Sequence, residues 1–203
     1  VILTGGTETG LQMLKAKPSM FLCAETGGKN ATIVSAMSDR DAAIKNVLSS
    51  AFGNAGQKCS CTSLFLLERE VFEDQKFRAT LKDAAESLKA GSAWQFYSKI
   101  GPLITAPKGE FWLVEPKMVN NNPYVWSPGI RWNVQPGSFT HMTELFGPVL
   151  SVMCYDTLEE AIDIVNQTGF GLTTGLESLD EREVAIWKEK IKAGNLYVNR
   201  STT

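Results

Sequence analysis

Residues 171–199 read GLTTGLESLD EREVAIWKEK IKAGNLYVN, and three local signals divide them. Gly171 to Glu177 is strand-like, Asp180 to Ala193 has the composition of a helix with an acidic first turn, and Gly194 leads into a second strand-like run, Asn195 to Asn199. Two strands separated by a helix cannot close as a tight hairpin, so the unit predicts parallel pairing with a right-handed crossover. Working outward, the same alternation of period 2 and period 3.6 recurs. Val149 to Tyr155 reads as a strand. Thr157-Leu158-Glu159-Glu160 is a capping box that opens a helix through Ala161, Ile162 and Val165. Further upstream, Ser63 to Leu67 and Ala31 to Val34 read as buried strands. Asp39 caps a helix whose Ile44, Val47, Leu48, Ala51 and Phe52 share one face. Phe77, Leu81, Ala84, Ala85 and Leu88 form another stripe, which Gly91 is expected to stop after Lys89. Near the start, Ile2 and Leu3 are strand-like, and Gly5-Gly6 leads into a helix from about Glu8 to Lys15. The fold class is α/β, with a mostly parallel sheet flanked by helices.

One segment departs from the pattern. Four of the eight prolines fall between Pro116 and Pro136, together with Asn120-Asn121-Asn122, Trp126 and Trp132. It is expected to be an ordered excursion or an edge hairpin, because proline removes a ladder donor from any central strand. The two tryptophans are expected to pack that hairpin.

Composition narrows the function. With 20 Lys and Arg against 22 Asp and Glu the net charge is -2, which speaks against a dedicated nucleic-acid binder. No apolar run has the length of a membrane span. A single histidine, His141, excludes metal sites built from several imidazoles and leaves no metal expected; a structural role is the better reading of it. Four cysteines in 203 residues are too few for a disulfide scaffold and show no zinc spacing, so a reducing, cytoplasmic setting is expected. Both ends, Val1-Ile2-Leu3 and Asn199 to Thr203, read as cuts through a larger fold.

Four segments carry residues able to do chemistry. In Phe52-Gly53-Asn54-Ala55-Gly56-Gln57-Lys58-Cys59-Ser60 a helix gives way to a glycine-containing loop with a thiol beside a cation, where Cys59 is either a nucleophile or a bystander. Cys61, two residues on, faces the other way in an extended segment and belongs to the core. Cys23-Ala24-Glu25-Thr26-Gly27-Gly28-Lys29-Asn30 places Glu25 before a Gly-Gly turn, as a general base or as a solvated turn acid. Thr4-Gly5-Gly6-Thr7-Glu8-Thr9-Gly10 follows a strand and opens a helix, so its amides are able to face a phosphate. Glu144-Leu145-Phe146-Gly147-Pro148 sets an acid and an aromatic ring before a rigid turn, or is simply a strand entry.

In this order and at this spacing the segments resemble the aldehyde dehydrogenase superfamily. Its glutamate-Gly-Gly-Lys element matches Glu25, Gly27, Gly28 and Lys29; its Phe-x-x-x-Gly-Gln-x-Cys element matches Phe52, Gly56, Gln57 and Cys59; its Glu-x-Phe-Gly-Pro-Val element matches Glu144, Phe146, Gly147, Pro148 and Val149. Glu25 and Cys59 stand 34 residues apart, as the family requires. Thr143 to Leu150, Ser178 to Glu183, Gly194 to Arg200 and Glu25 to Asn30 are similar to the 1-pyrroline-5-carboxylate (glutamate γ-semialdehyde) dehydrogenases, including those within bifunctional proline-utilisation proteins.

The resemblance implies that Cys59 is the nucleophile, Glu25 the base for deacylation, and Ser60 a ligand of the substrate's α-carboxylate. It implies NAD as cofactor, with Gly5, Gly6 and Gly10 beside the pyrophosphate, Glu144 on the nicotinamide ribose and Phe146 against the ring. At Gly6 many relatives carry a phosphate-contacting serine. Residues 1–22 are then a βα piece of the NAD-binding domain. Residues 23–203 are the catalytic domain, cut before the substrate-anchoring loop and the oligomerisation strand. The chain alone is expected neither to oxidise aldehyde nor to hold NAD tightly. The parent is expected to act on a small-molecule aldehyde, to be a homo-oligomer, and in some cases to be fused to a proline dehydrogenase domain. Two alternatives stand beside this: an enzyme for another semialdehyde such as succinate semialdehyde, and a non-catalytic domain of the same fold.

Overall fold

A computed structural model describes residues 1–104, 106–107 and 111–203. In chain order, β1 (Ile2–Gly5), α1 (Thr7–Ala16), β2 (Cys23–Thr26), β3 (Asn30–Val34) and α2 (Arg40–Phe52) precede a 3-10 turn at Gly53–Gly56. There follow β4 (Thr62–Glu68), α3 (Arg69–Glu73), α4 (Gln75–Glu86), β5 (Trp112–Val114), β6 (Met118–Val119), β7 (Asn122–Trp126), β8 (Gly129–Arg131) and α5 (Phe139–Met142). The chain closes with β9 (Val149–Tyr155), α6 (Leu158–Gln167), β10 (Thr173–Glu177), α7 (Glu181–Lys190) and β11 (Asn195–Val198).

The unit first read in the sequence is present: β10 and β11 pair in parallel, with α7 between them. They form one end of a seven-stranded sheet of order β11-β10-β3-β4-β9-β8-β5, parallel throughout except for the β5–β8 pair at the far edge. Period 2 along the central strands divides the core in two. On β4, Phe65 and Leu67 point into a cluster with Val47, Phe52 and Leu81 of α2 and α4, while Leu64 and Leu66 point into one with Ile162, Val165 and Trp187 of α6 and α7. Both faces of the sheet are therefore covered by helices, which is why β4 has no polar face to alternate with. The expected caps form. Asp39 accepts from the Ala42 N–H at 3.0 Å. Thr157 accepts from the Glu160 N–H at 3.2 Å, and the Glu160 carboxylate returns to the Asp156 N–H at 2.7 Å.

Two expectations need correction. The helix ahead of Gly91 ends at Glu86: the Ser87 N–H makes the last α-type bond, to Asp83, and the Leu88 N–H turns back more tightly onto Ala85, three residues before it. Gly91 instead sits where the returning loop pairs its N–H with the Ile100 carbonyl. The proline-rich segment stays outside the core only in part. The β6–β7 hairpin is peripheral, but β8 enters the large sheet beside β9, with Ile130 fully buried. Pro128 stands just before that strand, so its missing donor costs the ladder nothing. Trp126 and Trp132 do pack. Trp126 donates to the Pro123 carbonyl, and Trp132 stacks on Phe72 with the Arg78 guanidinium 4.8 Å from its ring centre.

A second, two-stranded parallel sheet pairs β1 with β2. The expected division at residues 1–22 and 23–203 falls immediately before β2, and that strand turns back to β1 instead of joining the seven-stranded sheet.

Candidate active site

Parallel strands share a direction, so the segments that lead into them collect at one edge. Gly27-Gly28-Lys29 enters β3, Cys59-Ser60-Cys61 enters β4, Glu144 to Pro148 enters β9, and Thr168 to Leu172 enters β10. The carboxyl ends of β1 and β2 arrive at the same place, since β2 runs directly into Gly27, whose N–H donates to the Gly5 carbonyl at 3.4 Å. The site thus lies between the carboxyl end of the small sheet and the amino end of the large one.

The Gly27-Gly28 turn, already bonded to Gly5, joins all four motifs. Gly28 donates its N–H to Glu144 Oε1 at 2.9 Å. A Cβ on Gly27, which has φ +20°, would stand 2.4 Å from Glu144 Oε2, and one on Gly28 would stand 2.5 Å from the Cys59 carbonyl. Only bare backbone fits between that carboxylate and that loop. The loop is held from its other side as well: Gly56, at φ +69°, approaches Gly147 so closely that a Cβ would lie 2.3 Å from the Gly147 carbonyl oxygen.

The segment Lys58–Cys61 is a turn, closed by the Cys61 N–H on the Lys58 carbonyl at 3.0 Å, where an extended stretch was expected. The two cysteines still part as predicted. Cys59 is exposed, whereas Cys61 is buried with its thiol 3.6 Å from the Gly53 carbonyl, and burial pushes that thiol up from its ordinary range. Ser60, half-buried, follows on the same turn. Glu25 is exposed on β2 and lines a cleft of about 530 Å³ with Thr7, Gly27, Phe170 and Leu172. Gly6 stands at the N-cap of α1 without any capping side chain; Gly5 and Gly10 flank it, Gly10 buried against Leu3 and Leu22. Phe146 is 41% exposed and held at φ 49° in the left-handed region.

His141 is not part of this cleft. Its Nδ1 accepts from the Gly137 N–H at 2.9 Å, so Nε2 carries the proton and donates to the Ile164 carbonyl at 2.9 Å. Burial holds the ring below its ordinary pKa, and the neutral form suits both bonds. Among the described residues no group of three or more His, Cys, Asp or Glu is placed to hold a metal ion, and no helix is long and apolar enough to cross a membrane.

Several residues to which the motif reading gave no role are central to the geometry. Lys29 is 2% exposed; burial lowers its pKa to about 8 against the pull of Glu144, with Arg131 reinforcing the drop. The Gln57 side chain clasps the returning loop, donating to the Pro102 carbonyl and accepting from the Ile104 N–H. Asn30, Thr173 and Thr202 reach the Cys59 turn from three separate places in the chain. Lys29 and Asn30 stood inside a quoted motif; nothing in local spacing links Thr173 or Thr202 to it.

The architecture is that of an α/β domain presenting an exposed thiol on a strand-entry turn, against a Gly-Gly bend and two carboxylates. The chain belongs to the aldehyde dehydrogenase family, whose sequence model matches residues 1–113 and 108–203. It is 31% identical over its whole length to the N-succinylglutamate 5-semialdehyde dehydrogenase of Photorhabdus laumondii, of which it covers 45%. The structure of proline utilization A from Corynebacterium freiburgense superposes with a TM-score of 0.93 at 46% identity, over 100% of this chain and 22% of that one. A 1-pyrroline-5-carboxylate dehydrogenase from Thermus with bound NAD gives 0.89 at 31% identity, over 100% of this chain and 43% of that one. The chain thus spans less than half the length of these relatives.

Proposed function

We propose that this chain carries the catalytic part of an NAD-dependent aldehyde dehydrogenase that oxidises glutamate γ-semialdehyde to glutamate. The observation that carries the reading is the convergence of Cys59, Gly28 and Glu144 at one strand-entry edge, with Glu25 two residues before the Gly-Gly bend. In this reading the Cys59 thiolate adds to the aldehyde carbon and forms a thiohemiacetal, whose oxyanion faces backbone N–H groups of the turn. Loss of hydride leaves a thioester on Cys59. Glu25, exposed to the cleft and therefore open to water, takes a proton from the water that hydrolyses it. Ser60 holds the α-carboxylate of the substrate.

What supports a dinucleotide is a cradle that side chains would fill: Gly27 against Glu144, and the uncapped amino end of α1 at Gly6 beside the same cleft. Gly5, Gly6, Gly10, Glu144 and Phe146 are the residues that would hold it. When bound, it supplies the hydride acceptor.

A second substrate is favoured by one specific likeness, that to an enzyme named for N-succinylglutamate 5-semialdehyde. The test uses the protein of the full reading frame that encodes this chain, following NADH production with each aldehyde. Glutamate γ-semialdehyde is expected to give the higher kcat/KM, and Cys59→Ala to abolish turnover. Glu25→Gln is expected to retain a single-turnover burst of NADH while steady-state turnover falls roughly a hundredfold or more. Full activity in Cys59→Ala would overturn the mechanism; preference for the succinylated aldehyde would overturn the substrate.

A further inference from the structure

The nucleophile turn is held by donors that the proposed chemistry does not use. Asn30 Nδ2 donates to the Cys59 carbonyl at 2.5 Å and to the Cys61 carbonyl at 3.0 Å, and Asn30 Oδ1 accepts from the Thr173 N–H at 3.0 Å. The carbonyl between them, that of Ser60, accepts from Thr173 Oγ1 at 3.3 Å and from Thr202 Oγ1 at 3.1 Å. These three donor residues are all buried, at 2%, 5% and 1% exposure, while Cys59 is exposed. Three successive carbonyls are therefore drawn to the inner side of the turn. A trans peptide sets each C=O opposite the following N–H. Fixing the Cys59 carbonyl inward accordingly turns the Ser60 N–H away from Asn30. Among the described residues neither the Cys59 nor the Ser60 N–H has an acceptor.

We infer that Asn30, Thr173 and Thr202 are positioning residues, a carbonyl clamp that holds the Cys59–Cys61 turn so that the Cys59 thiol and the adjacent free N–H groups face the substrate together. The inference rests on Cys59 being the nucleophile and extends that reading to residues on β3, on β10 and beyond β11. Hydroxyl protons fix its direction. Thr202 spends its proton on Ser60, so the 3.0 Å contact with Thr62 has Thr62 as donor, and the 3.0 Å contact between Thr62 and Thr32 has Thr32 as donor. The Thr202 N–H is in turn tied to Ser50 Oγ of α2 at 2.9 Å. Turn, sheet and helix are thereby joined through one residue, by its hydroxyl to the turn and β4 and by its N–H to α2.

The test is competitive alkylation of this chain by limiting iodoacetamide, read by peptide mass spectrometry, with exposed Cys23 as the internal reference. In the unsubstituted chain Cys59 is expected to react faster than Cys23. Asn30→Ala, and Thr173→Val with Thr202→Val, are expected to lower the Cys59 to Cys23 ratio roughly three- to tenfold, the range of one or two lost hydrogen bonds. Thr173→Ser with Thr202→Ser retains the hydroxyls and is expected to stay within about twofold of the unsubstituted chain. Thr202→Val alone, nearly isosteric, keeps the test decisive if Asn30→Ala does not fold. An unchanged ratio in folded Thr202→Val and Thr173→Val chains overturns the clamp while leaving the nucleophile standing. Equal reactivity of Cys59 and Cys23 in the unsubstituted chain overturns the nucleophile, and the clamp with it.

Discussion

Among the described residues, Glu177 is the buried acid that no proposed chemistry employs. It lies on β10 at 2% exposure, its carboxylate bonded to Asn46 Nδ2 of α2 at 3.0 and 3.3 Å. Burial pushes its pKa up to about 7; Asn46 opposes the shift and the nearby Asp39 adds to it. An acid whose folded pKa lies above its unfolded value is favoured in the fold while protonated. Stability from this group is therefore fully present below the unfolded value near 4.5 and is lost progressively as pH rises to about 7. Glu177→Gln keeps an acceptor for Asn46 and removes the titration. Urea unfolding of this chain as a function of pH is expected to show stability declining by up to about 3 kcal/mol across that window, and the decline should be absent in Glu177→Gln. An identical pH slope in both proteins would contradict the assignment. At the same scale, Gly27 and Gly28 show why a motif tolerates no side chain: the limit is the Glu144 carboxylate on one side and the Cys59 carbonyl on the other.

Among the elements, the helices followed their own sequences closely. Every residue of the α2 stripe, Ile44, Val47, Leu48, Ala51 and Phe52, is buried, and Asp39 caps the helix as the spacing required. Asp39→Ala is expected to cost about 1 kcal/mol in thermal or denaturant unfolding, with Asp39→Asn nearly neutral because it keeps the acceptor. A loss as large in the Asn variant as in the Ala variant would show that charge, not capping, is what matters there. Elements whose signals are not local were harder to read. Gly91 looked like a helix terminator, but α4 had already ended at Glu86, with the Leu88 N–H turned onto Ala85. β8 is only three residues, Gly129 to Arg131, between proline-rich loops, and its place in the sheet comes from pairing with β9 across the chain. No periodicity can show in so short a run.

At the scale of the whole molecule, a single sheet separates two apolar clusters, and adjacent residues of β4 serve opposite sides. Phe65 packs with α2 and α4; Leu66 packs with the α6 and α7 side. Phe65→Ala and Leu66→Ala are each expected to destabilise by roughly 3 kcal/mol, since both side chains are fully buried. Because one strand forms both cores, each variant is expected to keep a single unfolding transition by circular dichroism and by tryptophan fluorescence. Two separated transitions would mean that the clusters fold independently. The small β1–β2 sheet stands apart from these cores, with Ile2 and Phe21 largely exposed.

The sequence by itself determined the α/β class, the helix faces and caps, the parallel β10–α7–β11 unit, and the family that its motifs resemble. These depend on period, capping chemistry and glycine placement within a few residues, so they can be read along the chain. Only the tertiary structure decided that the segments holding Gly28, Cys59, Glu144 and Phe170 share the amino edge of one sheet, that the Cys59 loop is a turn, and that Asn30, Thr173 and Thr202 grip its carbonyls. The reason is physical. Strand order and the partners of buried polar groups are settled by contacts between residues far apart in the chain, such as the 142 positions from Ser60 to Thr202, and local spacing carries no record of them.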